Sequence, residues 1–245
     1  QAIVPSRGLQ PGTVIPSDPL NIPIPDGGFN PDDHLPGKYP TLPHPANVPQ
    51  ASTSPQFIPR QRIVAVAPNN YDRRMTTDIY GNPVHNDMIA VLHETVGSAV
   101  SAINTFQNNY TNDDDQVSYH ALIARDGTIV YLVPPEMRAY GAGNSVFDGP
   151  NGPETVRLDE VLPPSVNNFA YHASLESPSD GRGNGARHSG YTDAQYRSLA
   201  WLIGQTDIPE ARITTHQAVD RSGSRRDPRS FDRQRFLTAL NTYRQ

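Results

Sequence analysis

The residues with the most chemistry in this chain are two imidazoles and a carboxylate, far apart in sequence. His93 stands in the run Ile89-Ala90-Val91-Leu92-His93-Glu94-Thr95, His216 closes Ile213-Thr214-Thr215-His216, and Asp227 lies in Arg225-Arg226-Asp227-Pro228. Brought together, two histidines and one aspartate supply three protein ligands to a zinc ion and leave the fourth tetrahedral position open to water. Such an ion lowers the pKa of its water to about 7 and polarises a carbonyl, which is the chemistry of hydrolysis. Taken singly, each residue has a plainer reading. A lone histidine is more often a surface or hydrogen-bonded core residue, and an aspartate before a proline is more often a turn or cap residue.

The elements that would mount these groups are legible from pattern. Asp87 to Leu92 holds a short continuous apolar run, as a buried strand requires, so the His93 ring emerges at a strand end. Ser98 to Asn108 carries Ala99, Ala102, Ile103 and Phe106 at the spacing of one helix face. The apolar runs Tyr119–Ala124 and Thr128–Val133 flank Arg125-Asp126-Gly127, a hairpin signal. Ala170 to Glu176 reads as another strand. Thr192-Asp193-Ala194-Gln195 is a capping box, followed by Tyr196, Leu199, Ala200 and Ile203 at helical spacing. Phe236, Leu237, Leu240 and Tyr243 mark a C-terminal helix. The expected fold class is α/β: a mixed central sheet flanked by helices, without an internal repeat.

Composition sets the limits around this domain. Of the 25 prolines, 14 fall within residues 1–60. Proline fixes φ, removes a backbone donor and biases its predecessor away from helix. Residues 1–61 are therefore expected to form an extended Pro-rich arm or linker, and 62–245 the catalytic domain. The net charge of -5 argues against a nucleic-acid partner held through phosphates. No apolar stretch approaches the roughly 20 residues that span a bilayer. The chain has no cysteine, which excludes disulfides and thiolate zinc sites. It begins at Gln1 and not Met, which suggests a processed chain and a secreted or periplasmic location in the cell envelope.

Six short motifs occur in one order: Leu92-His93-Glu94-Thr95, Ser118-Tyr119-His120, Arg125-Asp126-Gly127-Thr128, Leu132-Val133-Pro134, Thr215-His216 and Arg225-Arg226-Asp227-Pro228. Each is weak alone. The series resembles the type 2 N-acetylmuramoyl-L-alanine amidases, whose zinc amidase fold is shared with peptidoglycan recognition proteins. The resemblance covers about residues 85–240 and leaves out the Pro-rich arm.

The resemblance implies roles. His93, His216 and Asp227 match the zinc ligands. Glu176, in His172-Ala173-Ser174-Leu175-Glu176, matches the catalytic glutamate, although the family usually has Ile-Gly-Ile-Glu there. Arg225 replaces a lysine and keeps its charge with a different donor geometry. Tyr119 matches a tyrosine that assists catalysis in some relatives. The plain readings of these three are a solvent-facing strand residue, a surface ion pair and a packed strand aromatic. The implied reaction is zinc-dependent cleavage of the amide between N-acetylmuramic acid and L-alanine in peptidoglycan or a muropeptide, by a monomer. The alternative is a non-catalytic wall-binding module on the same fold.

Two departures stand out. Where the family often has Trp-His-Ala-Gly, this chain has Tyr140-Gly141-Ala142-Gly143 and so lacks an imidazole. Gly149 to Pro164 reads as a long Gly- and Pro-rich loop able to reshape the groove. His120 and His172 lie on expected strands, where core packing is favoured over a role in orienting a ligand or substrate. His34, His44, His85 and His188 read as peripheral, and Asp113-Asp114-Asp115 as a solvated loop.

Overall fold

A computed structural model describes residues 57–244. The strands in chain order are β1 (Gln61–Ile63), β2 (Tyr71–Arg73), β3 (Ile89–Glu94), β4 (Ala121–Ile123), β5 (Ile129–Tyr131), β6 (Met137–Ala139), β7 (Phe147–Gly149), β8 (Gly152–Glu154), β9 (Ala170–Leu175) and β10 (Ile213–Thr215). The helices are α1 (Ala99–Phe106), α2 (Asp193–Gly204), α3 (His216–Val219) and α4 (Arg233–Asn241). Six strands form the main sheet in the order β1-β5-β4-β9-β3-β10. Every pair in it is parallel except β4 with β5. That exception is the expected hairpin. Gly127 takes φ +86° at its turn, where a side chain would be strained.

The mixed α/β architecture agrees with the pattern in the sequence. All six residues of β3 are buried, and so are all six of β9, as a strand covered on both faces demands. On one face α1 packs Ile103 and Phe106 over Leu122, Val130 and Leu132. On the other, α2 and α4 pack Leu199, Leu202, Phe236 and Leu240 against Leu92, Ile123 and Leu175. The capping box expected from sequence forms reciprocally between Thr192 and Gln195, and at the start of α1 Ser98 accepts from the Ser101 N–H.

The residues of the expected arm, 1–61, lie almost wholly outside the described part of the chain. The sheet's first strand starts at Gln61. The segment 149–164 is less irregular than its composition suggests. β7 and β8 pair as a small antiparallel ribbon, and Val156 bridges to Ser165. Gly152 supplies the positive φ of +120° that the ribbon's turn needs.

Candidate metal centre

His93 is carried by β3, the strand between β9 and β10. Its register partner on β9 is Ser174, and Val91, two residues back on the same face, pairs with His172. Alternation along the strands therefore places the His93 and His172 rings on one face of the sheet, the face that α1 covers. β10 pairs Thr215 with Leu92, so His216 starts α3 beside the end of β3. Asp227 is fixed to that helix by its carbonyl, which accepts the Gln217 N–H at 2.9 Å. Asp220 organises the intervening loop by accepting from Ser222 and from the Arg225 N–H.

One ligand atom each from His93, His216 and Asp227 lies within 4.8 Å of the others. Asp227 Oδ2 is 3.3 Å from His93 Nδ1 and 3.1 Å from His216 Nδ1. With zinc bonds of about 2.0–2.2 Å, neighbouring ligands of a tetrahedral ion stand about 3.3 Å apart, so these spacings suit the ion. His93 Nδ1 is also buried without a hydrogen-bond partner among the described residues. Such atoms are rare, and an imidazole lone pair facing a carboxylate and a second imidazole is a cation's donor set.

The electrostatics favour the ligand forms. Burial lowers the pKa of His93 to about 4, so the ring is neutral at pH 7. Burial pushes the Asp227 carboxyl up, but its contacts with His216 and His93 outweigh this and hold it well below the usual range. Burial also depresses His120 and His172, and the Arg74 charge lowers His120 further.

Histidine titrates near 6.5 in an unfolded chain. Below that pH the unfolded metal-free chain binds protons that the folded one refuses, so stability is full above about 6.5 and falls toward pH 4. The loss from His93 alone is on the order of 3 kcal/mol. Urea midpoints measured with a chelator present should fall across this window, and a flat profile would contradict it.

The group opens on a cleft of about 710 Å³ lined by residues that include Tyr119, Arg225 and Asp227. Tyr119 stacks on the His93 ring with centroids 4.5 Å apart. Burial raises its pKa, so its hydroxyl keeps its proton. Arg225 is exposed on the cleft wall. Glu176 is placed differently. Its Oε1 accepts the Ala99 N–H at the start of α1 and its Oε2 accepts the Arg125 N–H, both at 2.9 Å. Among the described residues it does not line the cleft. Val96, on the rim, holds φ at +56°, a conformation that costs a β-branched residue roughly 1–3 kcal/mol.

Sequence reasoning passed over Glu94. It ends β3 fully buried, its Oε1 2.6 Å from Arg229 Nε and its Oε2 3.0 Å from His188 Nε2. His188, read as peripheral, has a fully buried side chain on this carboxylate, because an anion so deep needs every donor in reach. The available signal was a glutamate closing an apolar run, since a buried charge implies a partner. His85 is exposed, and His34 and His44 lie outside the described residues.

A family model described as N-acetylmuramoyl-L-alanine amidase matches residues 83–230, more than half of the chain. The chain belongs to that family. The 1,6-anhydro-N-acetylmuramyl-L-alanine amidase AmpD of Salmonella typhimurium is 31% identical over 136 residues, which is 53% of this chain and 62% of the relative. AmpD of Citrobacter freundii is 34% identical over 104 residues, 42% of this chain and 41% of the relative. The chain thus spans less than two thirds of these relatives. A crystal structure of a selenomethionine AmpD derivative aligns with a TM-score of 0.51 and 25% identity, over 75% of this chain and 96% of that one. Among the described residues no helix is long and apolar enough to cross a membrane.

Proposed function

We propose that this chain is a zinc-dependent hydrolase of the amide between N-acetylmuramic acid and L-alanine. The observation that carries the reading is the gathering of His93, His216 and Asp227 within 4.8 Å on an open cleft. The family match supplies the substrate class. Zinc, when bound by these three side chains, supplies Lewis acidity that activates water and polarises the scissile carbonyl.

The remaining work falls to groups on the cleft wall. The Arg225 guanidinium is free to swing toward the carbonyl oxygen and stabilise the charge that develops there, a contribution of roughly 3–4 kcal/mol for a well-placed donor. The Tyr119 hydroxyl, protonated at neutral pH, donates a hydrogen bond to the same oxygen or orients the substrate. Glu176 remains the proton carrier implied by the resemblance. To act, it must release one of its two backbone donors and turn toward the cleft.

All three ligands come from one chain, so a monomer suffices. The polymeric wall as substrate and an envelope location belong together in this reading. Soluble 1,6-anhydro muropeptides, the substrate form named for the AmpD relatives, are the other choice. Purified protein offered both should release stem peptides from at least one. A chelator should stop the release, and added zinc should restore it. Release that persists in chelated, metal-free protein would sink the zinc mechanism. A second reading, a wall-binding module without hydrolysis, draws on the engaged carboxylate of Glu176. Sacculus binding without product by zinc-loaded protein would favour it.

A further inference from the structure

The two nitrogens of His93 point to different partners. Nδ1 faces the metal group, and Nε2 lies 2.9 Å from Nδ1 of His172. An imidazole that gives its Nδ1 lone pair to a cation carries its proton on Nε2. That N–H needs an acceptor, and metal-bound histidines are regularly held by one, most often a carboxylate, carbonyl or water. Here the group in reach is a second imidazole. His172 then has a bare Nδ1 and its own proton on Nε2, a buried atom without a partner among the described residues. A ring kept merely to fill space would have no reason to be polar.

The His172 ring is itself fixed from two sides. Its backbone N–H donates to His120 Nδ1 at 2.9 Å. His120 Nε2 in turn lies 3.0 Å from the Met137 carbonyl and 3.2 Å from Arg74 Nη2, which holds the His120 ring in place. The two rings lie nearly parallel, 10° apart in plane. From the loop side, a Cβ on Gly141 would stand 2.5 Å from His172 Cγ and Nδ1. Position 141 is the place where the resemblance leads one to expect an imidazole. In this chain the space of that side chain is filled by a ring that arrives from β9 instead.

We propose that His172 is a positioning residue: it accepts the His93 Nε2–H, so that Nδ1 is presented to the metal, and Gly141 is the vacancy that lets its ring stand there. The inference rests on the zinc reading of His93, His216 and Asp227.

Zinc affinity, measured by competition with a chromophoric chelator, and the visible spectrum of the cobalt-substituted protein test it without reference to activity. His172→Phe keeps a ring and loses the acceptor. It should weaken zinc binding roughly 10–100-fold, the usual consequence of losing such a partner, and shift the cobalt bands. His172→Asn, whose Oδ1 stands near the place of Nδ1, should recover most of the affinity. Gly141→Ala touches neither ring chemically, yet its Cβ must displace His172, and it should reproduce the loss. In a His172→Ala background the same Gly141→Ala change should cost nothing further. If parent protein takes up zinc and His172→Phe matches it in affinity and spectrum, the positioning role is overturned and the metal reading stands. If parent protein takes up no zinc, the metal reading fails and this inference falls with it.

Discussion

Asp227→Asn protein is expected to fold, to lose zinc uptake at micromolar metal, and to release no more product than chelated parent protein. The substitution preserves shape and removes the one anionic member of the proposed ligand set. Asp227 Oδ2 is the atom shared by both histidines, at 3.3 and 3.1 Å, so it is the corner around which the donor set is built. An amide oxygen is a much poorer zinc donor than a carboxylate, and an imidazole brings no negative charge to make up the loss. The affinity loss should exceed the roughly 10–100-fold associated with an outer partner. The fold should survive because the core clusters on both faces of the sheet do not include Asp227. Metal analysis by mass spectrometry and release of stem peptides are the two readouts. Full zinc occupancy with an undiminished rate would place the ion elsewhere.

How much of this was legible in the sequence follows from the range of each interaction. The strand through Leu92, the hairpin at Gly127 and the capping box at Thr192 are local patterns, and each formed where the pattern lies. β1 and β10, three residues each, have no periodicity to read. They exist because β5 and β3 offer unpaired edges. The proposed ligands were nameable as residue types in an ordered series of motifs, but their meeting depends on β3 and β10 pairing across more than a hundred residues of chain. The carboxylate of Glu176 shows the limit of carrying a role by position. Its motif is in place, yet the start of α1 and the loop at Arg125 both draw on it, as an anion near a helix N-terminus allows. The histidine pair His93–His172 was out of reach for a similar reason. Nothing in Tyr171-His172-Ala173 says that the loop opposite has given up its side chain at Gly141.

The same long-range logic makes Glu94 the residue whose loss should cost the fold most. Its carboxylate sits at the end of β3, one residue past His93. It accepts from Arg229 Nε at 2.6 Å, the Arg229 backbone N–H at 3.1 Å, Ser177 Oγ at 2.9 Å and Tyr191 Oη at 3.3 Å. Arg229 in turn donates to the carbonyls of Gly181, Gly183 and Gly185, so one ion pair pins the loop over the cleft and the segment that bears Asp227. Glu94→Ala leaves a buried guanidinium without its counter-charge and orphans several donors, a change that costs about 3–5 kcal/mol. The urea midpoint should drop accordingly with an unchanged slope. Zinc affinity should fall as well, since Asp227 stands two residues from the freed arginine. Arg229→Met added to Glu94→Ala should recover part of the stability, because the unpaired charge is then gone, and the pair should show strong coupling in a double-mutant cycle. A Glu94→Ala loss of only about 0.5 kcal/mol, the scale of an ordinary surface substitution, would mean that the carboxylate does not hold this end of the site together.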